Sequence, residues 1–235
     1  MKDLGLVMPV YNEEECILEV IQSWHRELSR LKIEFIIIVL NDGSTDTTAE
    51  RLKTLSGFNE ILIVNKENSG HGPTILLGYR LAVEKAQWVF QVDSDNEITP
   101  DQFEELWAKR ENYDGLFGYR QARSQTLTRK IVSVIARNSV KLLFGQGVED
   151  SNVPYRLLRA GILKKIIGKI PPGTFAPNVI ISGAFSLHKL RIYNQPVFCF
   201  GRKTGKTTLV SWKILWAALP SFLQTIGARY RLKEL

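Results

Sequence analysis

Four short apolar runs, separated by stretches of helical spacing, occupy the first hundred residues. They are Leu4–Val10, Phe35–Leu40, Ile61–Val64 and Trp88–Val92. The β-branched content of Phe35–Leu40 suits a strand covered on both faces, as in parallel sheets. Between the runs, Ile17, Ile21, Trp24, Leu28 and Leu31 repeat at helical intervals. That helix is expected to begin at Asn12, with Glu13, Glu14 and Glu15 at its positive end. Asp46 is placed to cap a second helix carrying Ala49, Leu52 and Leu55. Gly70, Gly72 and Pro73 open a third, bearing Ile75, Tyr79, Ala82 and Ala86. Alternating strand and helix predicts an α/β domain, Rossmann-like, with a mainly parallel sheet flanked by helices. Ligands on such sheets bind beyond the carboxyl ends of the strands. Three polar clusters fall there: Tyr11-Asn12-Glu13, Asn41-Asp42-Gly43 and Asp93-Ser94-Asp95.

After Pro100 the pattern loosens. A helix over 101–110, a strand over 116–119 and a long helix over 128–143 are expected. A strand pair, 179–187 with 191–200, follows. No Pro/Gly/Ser linker interrupts the chain, so 1–207 reads as one domain. The segment 208–235 reads as a basic amphipathic helix. Leu209, Trp212, Trp216, Leu219, Leu223, Ile226 and Tyr230 form its apolar stripe, flanked by Lys206, Lys213, Arg229, Arg231 and Lys233. Tryptophan with basic residues suits the surface of an anionic membrane. Packing on the protein's own core or on a second subunit is the alternative. Pro220 should kink or divide the helix.

Charge sharpens the division. The chain of 235 residues carries a net +7, but residues 1–128 hold −8 and residues 129–235 hold +15. A basic half of this kind expects an anionic partner, unless it is only a solvated face. Cys16 and Cys199 are too few for a disulfide framework or a zinc site, which favours a reducing compartment. No leader and no confident membrane span is expected, since no run of about 20 residues is apolar enough.

The segment QVDSDNE carries most of the chemistry. Asp93 ends a buried strand, Asp95 follows in the same turn, and Glu97 lies two further on. Carboxylates so placed suit a hard divalent cation, Mg²⁺ or Mn²⁺, completed by water and phosphate oxygens. An acidic surface turn is the plainer alternative. Asp42 ends the second strand and can accept hydrogen bonds from a base or ribose; Asp46 reads as a helix cap. Gly70, His71 and Gly72 precede a helix start, where backbone N–H groups can meet an anion. Residues 201–208, GRKTGKTT, have only three residues between the glycines, not the four of a phosphate loop. An ATPase or kinase is rejected, yet Arg202, Lys203 and Lys206 still offer cations to an anion.

Taken together, MPVYNEEE, NDGSTD, NSGHGPTILLGYR, the D-x-D of Asp93 and Asp95, and GYR at 118–120 resemble the family 2 glycosyltransferases. The nearest resemblance is to polyprenyl-phosphate sugar transferases such as dolichol-phosphate mannosyltransferase. In that subgroup a long helix is followed by an Asp and an aromatic-Arg pair, here Asp150, Tyr155 and Arg156. The resemblance implies a single A-type glycosyltransferase domain, with a nucleotide-sugar half at 1–100 and an acceptor half at 101–207. It implies an inverting transfer from a nucleotide-diphosphate sugar, GDP-mannose or a UDP-sugar. Pro9, Tyr11, Glu13 and Asp42 would hold the nucleoside, with Ser94 beside them. Asp93, Asp95 and Glu97 would place the metal on the diphosphate, and Arg202 would share in charge stabilisation. A phosphate acceptor is already ionised at pH 7 and needs cations in place of a base. Arg120, Arg123, Arg129, Arg137, Arg156, Lys203 and Lys206 are the candidates. A hydroxyl acceptor would need a base, Asp150 or Glu149.

Departures from the subgroup bear on sugar and acceptor: Glu97 stands where Gln is frequent, and Thr207-Thr208 where Ser-Lys is. A nucleotidyltransferase would want a basic glycine-rich loop after the first strand, where this chain is acidic. Nucleic acid is not expected, because aromatics and cations are not interleaved and the first half is acidic. A non-catalytic nucleotide-sugar binder is the remaining alternative. The expected location is cytoplasmic, at the inner face of the membrane.

Overall fold

A computed structural model describes residues 1–120, 144–145, 147–199 and 224–232. The expected long helix at 128–143 lies outside them. The elements are β1 (Lys2–Val10), α1 (Ile17–Arg30), β2 (Phe35–Asp42), α2 (Thr48–Lys53), β3 (Ile61–Lys66), α3 (His71–Ala82) and β4 (Ala86–Val92). They continue with α4 (Phe103–Lys109), β5 (Gly115–Arg120), β6 (Tyr155–Arg159), α5 (Ala160–Gly168), α6 (Pro177–Leu187) and β7 (Ile192–Val197). The strands form one sheet in the order β3-β2-β1-β4-β6-β5-β7. All are parallel except β6, which runs against both β4 and β5.

Side-chain alternation along the strands feeds a core on each face. Leu4, Leu6, Met8, Ile37 and Val39 join Trp24, Leu28 and Phe103 on one side. Val7, Ile38 and Leu40 join Ile75, Tyr79, Ile181 and Phe185 on the other. Helix α1 buries Ile17, Val20, Ile21, Trp24 and Leu28, each such side chain contributing about 1.5–3 kcal/mol. The Phe90 ring lies 5.3 Å from Trp24 and 4.7 Å from Phe103, which seats α1 and α4 on β4.

Three expectations are corrected. The first helix begins at Ile17, not Asn12, because Asn12 has φ 54° and turns the chain before the helix starts. Residues 179–187 are helical, not a strand. Helix α6 is buried at Asn178, Ile180, Ile181, Ser182, Gly183, Ala184 and Phe185, and a helix covered nearly all round has no amphipathic period to read. Strand β7 therefore pairs with β5, in the register Gly115↔Ile192, and not with 179–187. Strand β6 and helix α5 were not expected.

Residues 224–232 are helical, with Thr225, Ala228 and Leu232 buried. His188 Nε2 lies 2.7 Å from the Leu232 carbonyl, and the Phe175 amide donates to Gln224 Oε1 at 3.0 Å. This part of the terminal segment thus packs on the domain, through a face next to the expected Ile226–Tyr230 stripe. Tyr230 is exposed.

Candidate active site

The carboxyl ends of β1, β2, β3 and β4 bring the first-half clusters to one edge. The loop after β1 is stitched to the loop after β2. The Asn12 amide donates to Ser44 Oγ at 3.0 Å, and Asn12 Oδ1 accepts the Thr45 amide at 2.8 Å. The Glu13 amide donates to Thr48 Oγ1 at 3.0 Å. Glu14 accepts the Thr47 amide and hydroxyl at 2.8 and 2.5 Å, and these bonds hold its pKa below the usual value. Asp46 Oδ1 accepts the Thr48 amide at 3.0 Å, but the N-cap of α2 is Thr47, one residue later than the cap expected. Tyr11 is left exposed at the rim, while Glu13 is buried. Cys16 Sγ lies 3.5 Å from both Glu13 Oε2 and the Ser94 carbonyl, which links this loop to the D-x-D.

Asp42 is buried and its oxygens are used inside the protein. Oδ1 accepts Lys66 Nζ and the Ser69 amide (2.9 Å), and Oδ2 accepts the Gly70 amide (3.0 Å). Its visible work is therefore to shape the 68–70 loop, with little carboxylate surface left for a base or ribose. Gly43 permits this: it has φ +67°, and a Cβ there would lie 2.7 Å from the Asn68 nitrogen. Burial alone would raise the Asp42 pKa, but bonds from Lys66 and Ser69 outweigh it and hold the pKa below 3.8. Such a carboxylate stabilises the fold above its unfolded pKa and loses that contribution as the pH falls through its folded one. We expect Asp42→Asn to lower Tm at neutral pH. Its Tm should also fall less steeply than wild type below about pH 4. Thermal unfolding against pH checks both.

Gly70 (φ +88°) precedes α3, and His71 is exposed with Nε2 3.9 Å from Asp93 Oδ1. A Cβ on Gly72 would lie 2.1 Å from the Phe175 carbonyl oxygen, so only glycine lets the 171–176 loop seat on this turn. Asp95 Oδ1 accepts the Glu97 amide at 3.1 Å, with Asn96 at φ 57° closing the turn. Ser94 is buried. Asp93, Asp95, Glu97 and Arg120 line one cavity, walled by Val92, Ile98 and Pro154. Arg120 ends β5, parallel to β4 at the same edge. Its buried Nε has no hydrogen-bond partner among the described residues.

The other expected residues are less gathered. Asp150 is half-buried, its Oδ1 accepting the Asn152 amide at 3.1 Å, and Glu149 is exposed. Neither lines that cavity. Arg156 is corrected outright as a phosphate ligand. It is fully buried, and its donors go to the carbonyls of Val153 (2.7 Å), Asn178 (3.0 Å) and Ser151 (3.2 Å). Arg123, Arg129, Arg137, Arg202, Lys203 and Lys206 lie outside the described residues. Sequence reasoning missed Lys66, Cys16, Gln91 and the 171–176 loop. The one signal for Gln91 was a glutamine inside the apolar run WVFQV.

Among the described residues no three Asp, Glu, His or Cys side chains converge as a ready metal cluster. The oxygen donors of Asp93 and Asp95 fit a hard divalent ion whose remaining ligands come from phosphate and water.

A mainly parallel sheet of this order, flanked by helices, is the A-type glycosyltransferase fold. The family model "Glycosyl transferase family 2" matches residues 6–167, and the chain belongs to that family. Among curated relatives, the undecaprenyl-phosphate 4-deoxy-4-formamido-L-arabinose transferase of Proteus mirabilis is 25% identical over 193 residues, covering 80% of this chain and 58% of the relative. That of Klebsiella pneumoniae is 24% identical over 209 residues, covering 87% and 62%. The chain thus spans about three-fifths of the length of these relatives. Among solved structures, glucosyl-3-phosphoglycerate synthase from Mycobacterium tuberculosis, in complex with Mn²⁺, UDP and phosphoglyceric acid, superposes with a TM-score of 0.69. It is 19% identical, with 97% of this chain and 78% of that chain covered. S. aureus TarS 1-349 in complex with UDP gives a TM-score of 0.59 at 18% identity, covering 83% and 59%. At these identities the likeness is one of fold.

Proposed function

We propose that this chain transfers a sugar from a nucleotide-diphosphate sugar to a polyprenyl phosphate, with inversion, at the face of a membrane. The observation that carries this is one cavity lined by both Asp93 and Asp95 of the D-x-D and by Arg120. A guanidinium at the wall of such a cavity offers a planar fork of donors that suits a phosphate. The names of the curated relatives point to the same acceptor.

Asp93 and Asp95 would hold Mg²⁺ or Mn²⁺ against the donor diphosphate, with Glu97 beside them. Bound there, the ion would offset charge on the departing nucleotide. The stitched loops after β1 and β2 form the floor on which the nucleoside lies, with Tyr11 at the rim and Pro9 behind it. Arg120 orients the acceptor phosphate for in-line attack on the anomeric carbon. That phosphate carries its own negative charge at pH 7, so no proton need be removed.

The test is transfer by the purified chain with GDP- and UDP-sugars, Mg²⁺ or Mn²⁺, and a short-chain polyprenyl phosphate. Glycosylated lipid phosphate is expected, and the active donor names the sugar. Metal-dependent donor binding without lipid product would move the acceptor to a hydroxyl. Failure to bind any nucleotide sugar would overturn the reading.

Membrane contact is proposed through the Trp212 and Trp216 stripe, which lies outside the described residues. Among the described residues no helix is long and apolar enough to cross a membrane. On anionic vesicles the intact chain should float, and the Trp212→Ala/Trp216→Ala variant should float several-fold less. Equal flotation would sink the idea.

A further inference from the structure

Behind the cavity lies a buried polar cluster that the transfer chemistry above does not use. Tyr79, Gln91, Asn178 and Arg156 come from α3, β4, α6 and β6, and none is more than 5% exposed. Gln91 stands in the middle. Its Oε1 lies 2.8 Å from Tyr79 Oη and 2.9 Å from Asn178 Nδ2, both positioned to donate. An amide oxygen facing two donors leaves its nitrogen facing the other way. That nitrogen, Nε2, donates to Asp93 Oδ1 at 3.4 Å. The Asn178 side chain is held in turn by its Oδ1, 3.0 Å from Tyr79 Oη, whose one proton Gln91 Oε1 and Asn178 Oδ1 share, and the Asn178 backbone carbonyl accepts Arg156 Nη1 at 3.0 Å. The same guanidinium holds the carbonyls of Ser151 and Val153, just before Pro154 on the far wall of the cavity.

We infer that Gln91 is a positioning residue for the metal site: held by Tyr79 and Asn178, it sets the orientation of the Asp93 carboxylate. This rests on the metal role of Asp93 and Asp95 proposed above. A carboxylate that is 28% exposed at the end of a strand has rotational freedom that a fixed donor removes. Losing such an outer partner of a ligand costs about 10–100-fold in metal affinity. Through Asn178 and Arg156 the network runs on to the backbone of Ser151 and Val153, next to the cavity residue Pro154.

The test titrates Mn²⁺ into the full chain with UDP, and in parallel with GDP, following free Mn²⁺ by electron paramagnetic resonance. Gln91→Met keeps the side-chain volume and removes the donor. Its Mn²⁺ Kd is expected to rise about tenfold or more, with the metal-free nucleotide Kd, measured in EDTA, unchanged. A merely structural role would lower Tm and leave the Mn²⁺ Kd alone. Should Gln91→Met fail to fold, Tyr79→Phe decides: it frees Gln91 and is expected to weaken Mn²⁺ binding about two- to fivefold. An Mn²⁺ Kd within error of wild type in the folded variant overturns the inference and leaves the transferase reading standing. Wild-type Mn²⁺ binding no tighter than that of Asp95→Asn overturns the metal role and the inference together.

Discussion

Asp95→Ala is expected to lower kcat/KM for sugar transfer by at least about 10²–10³-fold, the cost typical of removing one preorganised electrostatic contact from a reacting site. The side chain does two separable things. Its Oδ1 accepts the Glu97 amide and so holds the turn, a bond with a net worth of about 1 kcal/mol. Its charge faces the cavity shared with Asp93 and Arg120. Asp95→Asn separates the two, because an amide oxygen can still accept from Glu97 while the negative charge is gone. If charge is what matters, both variants lose transfer and only the alanine variant loses measurable stability. Steady-state kinetics across a range of Mn²⁺ concentrations, read beside thermal unfolding, distinguish these outcomes. Near wild-type transfer by either variant would refute the metal role.

What the sequence showed and what it hid follow from how each residue is partnered. Strands β1, β2 and β4 were legible because parallel strands buried on both faces are largely apolar, and their polar clusters begin where the apolar runs end. The D-x-D was legible because Asp93 and Asp95 sit in one turn. Helix α6 was misread for the same reason that the strands were read well: Val179–Ile181 is a β-branched apolar run, and complete burial erases the helical period. Strand β6 was hidden by Arg156, a charge that argues against a core strand until its carbonyl partners are seen. Asp42 was assigned outward because Lys66, Ser69 and Gly70 lie 24 or more residues away in sequence. Gln91 finds the two donors that hold its oxygen 12 and 87 residues away. No local pattern encodes such a pairing.

Arg156→Met should be the most destabilising of the substitutions considered, because several backbone carbonyls lose a donor at about 1–3 kcal/mol each. Against a total stability of about 5–15 kcal/mol, that is a large share. Replacing a buried ion pair by apolar residues is often harmless because both charges leave together. Here that escape is closed. The partners of Arg156 are the backbone carbonyls of Ser151, Val153 and Asn178, with Ser182 Oγ at 3.3 Å. Backbone oxygens stay when the side chain is changed, and each one left buried without a donor costs about 1–3 kcal/mol. Burial lowers the guanidinium pKa, with Asp150 and Asp93 among the groups opposing that shift. Arg156→Lys should rescue little, because a single ammonium cannot span acceptors that a planar fork reaches from three nitrogens. An exposed arginine gives the contrast: Arg30 pairs with Glu27 and Glu104 at 2.7 and 2.6 Å, yet water replaces those contacts readily. Arg30→Met should therefore barely move the urea midpoint, while Arg156→Met moves it far. Equal midpoints for the two variants would mean that the carbonyl cage around Arg156 does not support the fold.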